Sequence, residues 1–213
     1  YLLHGWRLLT GETEFALRFL SVGCGLLTVA LGYRLGRFLF GAAAGLGTAT
    51  LMAIAPLLIW YSQEARMYAA LMAAGLAGTY ALLRAVAEPE RRRWWVLFTL
   101  SGAAALYLHT SALFLVATQG VIFLLAAWRA RSLVFFRRGA LGFAAIGLLY
   151  LPWALVAVHW LGVNAGYWWG TLELRTVLHN TLLAFCTGRL LPLEAGRWVA
   201  AGHLLLLLGA VVV

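Results

Sequence analysis

The sequence predicts an all-α, polytopic transmembrane helical bundle of about seven spans with interfacial helices. Three observations carry this. Hydrophobic residues make up 64% of the 213 positions, and mean hydropathy is +0.90; a soluble domain is only about half apolar. The apolar residues come in runs near the ~20 residues that one helical crossing needs. The charged residues fall in short gaps between those runs. All sixteen basic residues are Arg, and the chain has neither Lys nor Asp. That bias points to a GC-rich bacterial genome. The net charge of +9 is explained by arginine in short loops, the positive-inside pattern, and does not call for nucleic acid.

In chain order, Leu2, Leu3, Trp6 and Leu9 of YLLHGWRLLTG share one helical stripe too short to span, which reads as an interfacial helix. The first span runs from about Phe15 to Tyr33, with Glu14 and Arg18 spaced to pair at its mouth. The second runs from Phe38 to Ile59; Gly41 and Gly45 have GxxxG spacing for close backbone approach, and Pro56 kinks its far end. Trp60 and Tyr61 make an aromatic belt. The third span runs from Met67 to Leu83, followed by the charged loop EPERRR (88–93). The fourth runs from Trp94 to Leu108 and the fifth from Ala112 to Trp128, with RARSLVFFRR (129–138) after it. The sixth runs from Gly139 to Trp160 with Pro152 inside, and a seventh starts near Trp198. Residues 1–213 read as one transmembrane domain. Within it, 161–197 is a periplasmic loop whose Leu174, Val177, Leu178 and Leu182 predict a helix lying on the membrane. Membrane lipids are therefore partners throughout.

Parity sorts the loops. Those bearing Arg34 and Arg37, then Arg84 and Arg91–Arg93, then Arg129, Arg131, Arg137 and Arg138 fall on one side, which the arginine bias makes cytoplasmic. The turns at 61–66 and 109–111 and the 161–197 loop fall on the other, with Glu, His, Asn, Ser, Gln and Tyr among their polar groups. A chemical site is expected on that outward side.

Glu64 is the acid of a short turn near the membrane, where an ionisable group is costly and marks function. The alternative is that Ser62 caps the third span and Glu64 sits in its first turn, favoured by the helix dipole. Arg66 matches phosphate oxygens in a forked geometry, or else snorkels to the interface. Tyr68 lies four residues beyond Glu64, one helical turn away. His109, following Tyr107, suits hydrogen bonding to a substrate or coordination of a metal, or a satisfied helix end; no Cys/His metal spacing is present. Cys24 reads as a packing residue. Trp168 and Arg175 in the long loop suit a lipid-linked, phosphate-bearing ligand.

Several stretches resemble the GT-C glycosyltransferases of the dolichyl-phosphate-mannose protein mannosyltransferase and aminoarabinose transferase type, the glycosyltransferase family 39 group. They are EFALRFLSVGCGLLTVALGYRLGRFLFG (14–41), APLLIWYSQEARMYAALMA (55–73), ALYLHTSALFLVATQG (105–120), LYLPWALVA (149–157) and GYWWGTLELRTVLHNTLLAFCTG (166–188). The resemblance implies transfer of a sugar from a polyprenyl-phosphate-linked donor to a lipid, glycan or protein acceptor on the periplasmic side of a bacterial inner membrane. It implies inversion in one displacement, a carboxylate base and basic groups on the departing phosphate. It carries catalytic roles to Glu64 and His109. Substrate contacts fall to Arg66 and to the flanking Tyr61, Tyr68 and Tyr107, with Trp168 and Arg175 from the loop. It requires no cofactor, and a divalent metal is compatible with it. The family's principal Asp precedes a His/Lys-Pro-Pro motif, and YLLHGW looks like the stretch just after it. The chain is therefore expected to be cut at both ends, with that Asp upstream of Tyr1, and to be inactive alone. Two other readings are a transporter or flippase, and a non-catalytic remnant of the fold. A transporter favours inverted repeats and midplane-broken helices. No internal repeat is visible here, and Glu64 lies at a membrane surface, which favours the enzyme.

Overall fold

The computed structural model of the protein describes residues 2–163 together with positions 173, 176, 180, 198, 199, 201, 202 and 205. Among the described residues there are helices and no strands. In order they are α1 (Leu2–Thr10), α2 (Glu14–Phe40), α3 (Ala42–Ile54), α4 (Pro56–Gln63), α5 (Tyr68–Ala87), α6 (Arg92–Leu108), α7 (Ala112–Ala130) and α8 (Leu133–Val163). Four are long and apolar enough to cross a membrane: Glu14–Phe40, Tyr68–Ala87, Ala112–Ala130 and Leu133–His159. The bent pair α3–α4 makes a fifth if it counts as one span. The expected count of about seven is therefore not reached among the described residues. One reason is α6, which has 17 residues and opens on two arginines. The seventh span and the 161–197 loop lie almost wholly outside the described residues.

The helices overrun the predicted spans where arginine was expected to end them. Arg34 and Arg37 sit in the last turns of α2, and Arg137 and Arg138 in the first turns of α8. Long arginine stems can stay on a helix while the head reaches the interface. The α2–α3 connection is Gly41 alone, at φ 91. Gly41 is thus the turn and not a packing surface. Close approach falls to Gly45, where an added Cβ would lie 2.8 Å from the Tyr33 carbonyl oxygen and 3.0 Å from the Arg37 nitrogen. Pro56 does break the second span, by 58°; it lacks an N–H and takes the first position of α4.

Helix α5 is central, packing on α2, α4, α6 and α7, while α6 also packs on α8. Most of its buried residues are small, Ala69, Ala73, Gly75, Gly78, Ala81 and Ala85, with Tyr80 and Leu82 among them. Small residues matter here because lipid tails give helices no hydrophobic incentive to associate, so close backbone packing must supply it. Phe98, Leu82 and Ile146 fill the interior, and Phe123 is ringed by Trp95, Phe135 and Phe143. The large exposed side chains, such as Phe15, Leu26, Leu51 and Phe114, are apolar, as a lipid-facing surface requires. Inside the bundle, Gln119 of α7 donates to the Thr79 hydroxyl of α5 at 3.1 Å.

Contacts fix the two ends of the bundle. At one end, Arg84 lies over the rings of Phe38 and Trp94 and pairs with Glu88, which also pairs with Arg91 at 2.6 Å. Arg138 of α8 donates to the Pro89 carbonyl at 2.6 Å and pairs with Glu90 at 2.8 Å. Loop 88–91 is thereby clamped between α5, α6 and α8. Burial raises the Glu88 carboxyl, but the Trp94 indole N–H, Arg84 and Arg91 outweigh it and hold the group below its ordinary range. A lowered carboxyl contributes stability above the unfolded value, about 4.3 for Glu, and loses it as pH falls through the folded value. Melting of the purified protein is therefore expected to weaken as pH drops below about 4.3, and Glu88→Gln should reduce that acid sensitivity. An unchanged pH profile in Glu88→Gln would remove the clamp's role.

Candidate active site

The opposite end gathers α1, the N-termini of α2, α5 and α7 and the C-termini of α4 and α6. Trp6 of α1 donates its indole N–H to the Ala16 carbonyl at 2.7 Å and stacks on Phe19, which docks the interfacial helix on α2. Glu14 and Arg18 pair at 2.5 Å, as their spacing predicts. Helix α4 is seated against α2 at Gly25, where an added Cβ would meet the Ser62 Cβ at 2.8 Å.

Glu64 does not sit in the first turn of the following helix. Ser62 lies inside α4, its hydroxyl donating back to the Ile59 carbonyl at 2.7 Å, and the residue ahead of α5 is Met67, so Ser62 does not cap that helix. Helix α4 runs on to Gln63, Glu64 terminates it in an extended conformation, and α5 begins at Tyr68. The dipole reading is overturned: a carboxylate at a helix C-terminus faces the unfavourable end. What holds Glu64 is Trp60, one turn earlier, whose indole N–H donates to Oε1 at 2.9 Å. Its Oε2 is buried and has no partner among the described residues. A buried acceptor without a donor is costly and needs an explanation.

Arg66 is exposed, with its guanidinium 5.1 Å from the Tyr68 ring centre. Tyr68 in turn packs on Tyr61 at 4.7 Å and on His109 at 6.0 Å between ring centres. The glutamate turn and the histidine bend thus share one end of the bundle. His109 ends α6 in an extended conformation. Its Nδ1 accepts the Ser111 backbone N–H at 3.1 Å and lies 2.8 Å from the Ser111 hydroxyl. An accepting Nδ1 places the proton of the neutral ring on Nε2, which leaves an N–H to donate. Tyr107 spends its hydroxyl on the Leu149 carbonyl of α8 at 2.8 Å and packs its ring on Tyr150; it offers the site a ring face. Trp168 and Arg175 lie outside the described residues.

Two cavities meet here. One, of about 410 Å³, is mainly apolar and is lined by Leu3, Leu20, Cys24, Met67, Tyr107 and Arg66 among others. The second, of about 530 Å³, carries the charged groups: Glu14, Arg18, Gln63, Glu64 and Arg66 line it together with Leu17, Trp60 and Ala65. Arg66 belongs to both; His109 and Tyr68 line neither, and the Tyr68 ring stands between His109 and the Arg66 guanidinium. Among the described residues no three of His, Cys, Asp and Glu come together as a metal-ligand set. Sequence reasoning took Trp60 only as interfacial and missed Gln63 as a wall of the site. The spacing of Trp60 to Glu64, one helical turn, was the available signal.

Comparison with curated proteins gives no match, and comparison with solved structures gives none. The sequence profile described as dolichyl-phosphate-mannose-protein mannosyltransferase matches residues 1–161, from α1 through most of α8, and the chain belongs to this family of GT-C-type membrane glycosyltransferases.

Proposed function

We propose that this protein moves a sugar from a polyprenyl-phosphate-linked donor to a lipid, glycan or protein acceptor at the periplasmic face of a bacterial inner membrane. The observation that supports it best is Arg66, shared by a mainly apolar cavity and a second one whose lining carries Glu14, Arg18 and Glu64. A lipid-phosphate sugar is itself divided in that way: apolar chain, anionic junction, polar sugar. Arg66 sits where the junction would lie, at the end of the bundle away from the arginine-rich loops.

In this reading the acceptor hydroxyl attacks the anomeric carbon and gives its proton to a carboxylate. The bond from that carbon to the phosphate oxygen breaks, and the phosphate leaves with the electron pair. Arg66 binds the departing oxygens. Glu64 Oε2 is the open proton acceptor while Trp60 anchors Oε1. The Nε2–H of His109 donates to substrate hydroxyls beside Tyr68, and Tyr61 and Tyr107 supply ring walls. The family resemblance adds substrate contacts from Trp168 and Arg175.

The test is donor dependence in the full-length protein reconstituted in liposomes. A charge-assisted hydrogen bond is worth about 1.5–3 kcal/mol, so Arg66→Ala should raise KM for the polyprenyl-phosphate sugar by about 10- to 100-fold. Arg66→Lys should recover part of that loss, because an ammonium retains charge without the forked geometry. A donor KM unchanged in Arg66→Ala would remove the phosphate assignment.

A further inference from the structure

A second cavity system lies at the arginine-rich end, outside everything the transfer reaction uses. Between α6 and α8 runs a groove of about 510 Å³ whose walls are Val96, Thr99, Leu100, Leu141 and Gly142, with Arg92 and Arg138 at its mouth. Val96, Leu100 and Leu141 are 55%, 58% and 69% exposed, so the groove opens sideways, where lipid tails lie. Its floor is held by α6–α8 packing, with the Thr99 hydroxyl donating to the Gly142 carbonyl at 3.4 Å. From Arg92 to Leu100 the helix rises about 12 Å, room for the upper part of an acyl chain.

The mouth is the selective part. Arg138 is fixed by Pro89 and Glu90 through its two Nη groups, and its Nε–H has no partner among the described residues. Arg92 is exposed and has no ion pair or hydrogen bond among the described residues. Arg91, Arg93 and Arg137 stand beside them in sequence. Across this end of the bundle ten arginines face two glutamates, Glu88 and Glu90. An apolar, laterally open slot under the unpaired guanidinium of Arg92, beside Arg138 in an arginine-rich surface, is complementary to one kind of molecule: an amphiphile with an acyl chain and an anionic phosphate head.

We propose that the α6–α8 groove is a binding site for an anionic glycerophospholipid, with its phosphate at Arg92 and Arg138 and an acyl chain along Val96, Leu100 and Leu141. This inference is independent of the transferase reading, because none of these residues lines the candidate active site.

The experiment uses the full-length protein purified from nanodiscs of equal phosphatidylcholine and phosphatidylglycerol, with the co-purifying lipids counted by native mass spectrometry. The protein should retain phosphatidylglycerol at least about threefold over phosphatidylcholine, a bias worth about 0.6 kcal/mol. Arg92→Ala, which empties the mouth, and Val96→Trp, which fills the exposed slot without touching the core, should each bring the ratio close to one. Arg34→Ala removes the same charge at the same end but away from the groove, and should leave the ratio in place. The proposal is overturned if the unmodified protein shows no preference, or if both groove variants keep it. It is equally overturned if Arg34→Ala lowers the ratio as much as Arg92→Ala, since the bias would then be a general surface effect.

Discussion

Glu64→Gln is expected to lower the turnover of sugar transfer by about 10²- to 10⁴-fold, the range that a positioned acid or base contributes. The substitution keeps the shape of the side chain and an oxygen that can still accept the Trp60 indole N–H. It removes the negative charge and with it the ability to take a proton, leaving an amide NH₂ in place of one oxygen. Expression and melting temperature should therefore stay near those of the unmodified protein, and donor KM should move little, which separates this variant from Arg66→Ala. Glu64→Gln turnover within a factor of about two of the unmodified protein, against the ~10²-fold floor, would end the catalytic assignment. The orphaned Oε2 would then require another occupant.

The largest structural effect is expected at Gly45. An added Cβ there meets the Tyr33 carbonyl oxygen at 2.8 Å, the Arg37 Cβ at 2.9 Å and the Arg37 nitrogen at 3.0 Å. Two of those three atoms are backbone, so no side-chain rotation relieves the contact. Gly45→Ala must push α3 away from α2, and with only Gly41 joining them the hairpin has no slack. Overpacking of this kind costs about 1–3 kcal/mol, to be read as a lowered thermal midpoint in detergent. Gly47→Ala is the matched control. It lies on the same helix, its Cβ would meet nothing within 4 Å, and it should be neutral or raise the midpoint slightly. Equal midpoints for the two variants would show that the α2–α3 contact is not tight.

Element positions were legible because the bilayer imposes them. Six predicted spans each fall on a helix or on the α3–α4 pair, since apolar run length is dictated by hydrocarbon thickness. Element ends were less legible, because Arg34 and Arg37 mark a polar boundary while the backbone continues to Phe40. Arginine reports where the head group sits, not where the helix stops. The site was legible as a list and not as a geometry. Glu64 and His109 were placed at one end by parity, and the Tyr68 ring contact agrees. The environment of Glu64 was hidden because the Ser62–Glu64 spacing imitates a helix start. Only the path of α4 beyond Pro56 shows it to be a helix end. Tyr107 and Tyr68 look alike in sequence, yet one hydroxyl is consumed by Leu149, a tertiary bond that no local pattern announces.

The bend at Ala55–Pro56 sets the reach of the acid. Helix α4 has eight residues, an arm of about 12 Å. Were it to continue the axis of α3 instead of turning through 58°, its tip would swing aside by about 12 Å at the same rise per residue. Glu64 would then leave the wall it shares with Arg18 and rise toward bulk water. A single imino acid in the middle of a hydrophobic stretch thus acts as a carpenter's mitre, angling the last stub of the crossing so that its carboxylate closes over the chamber.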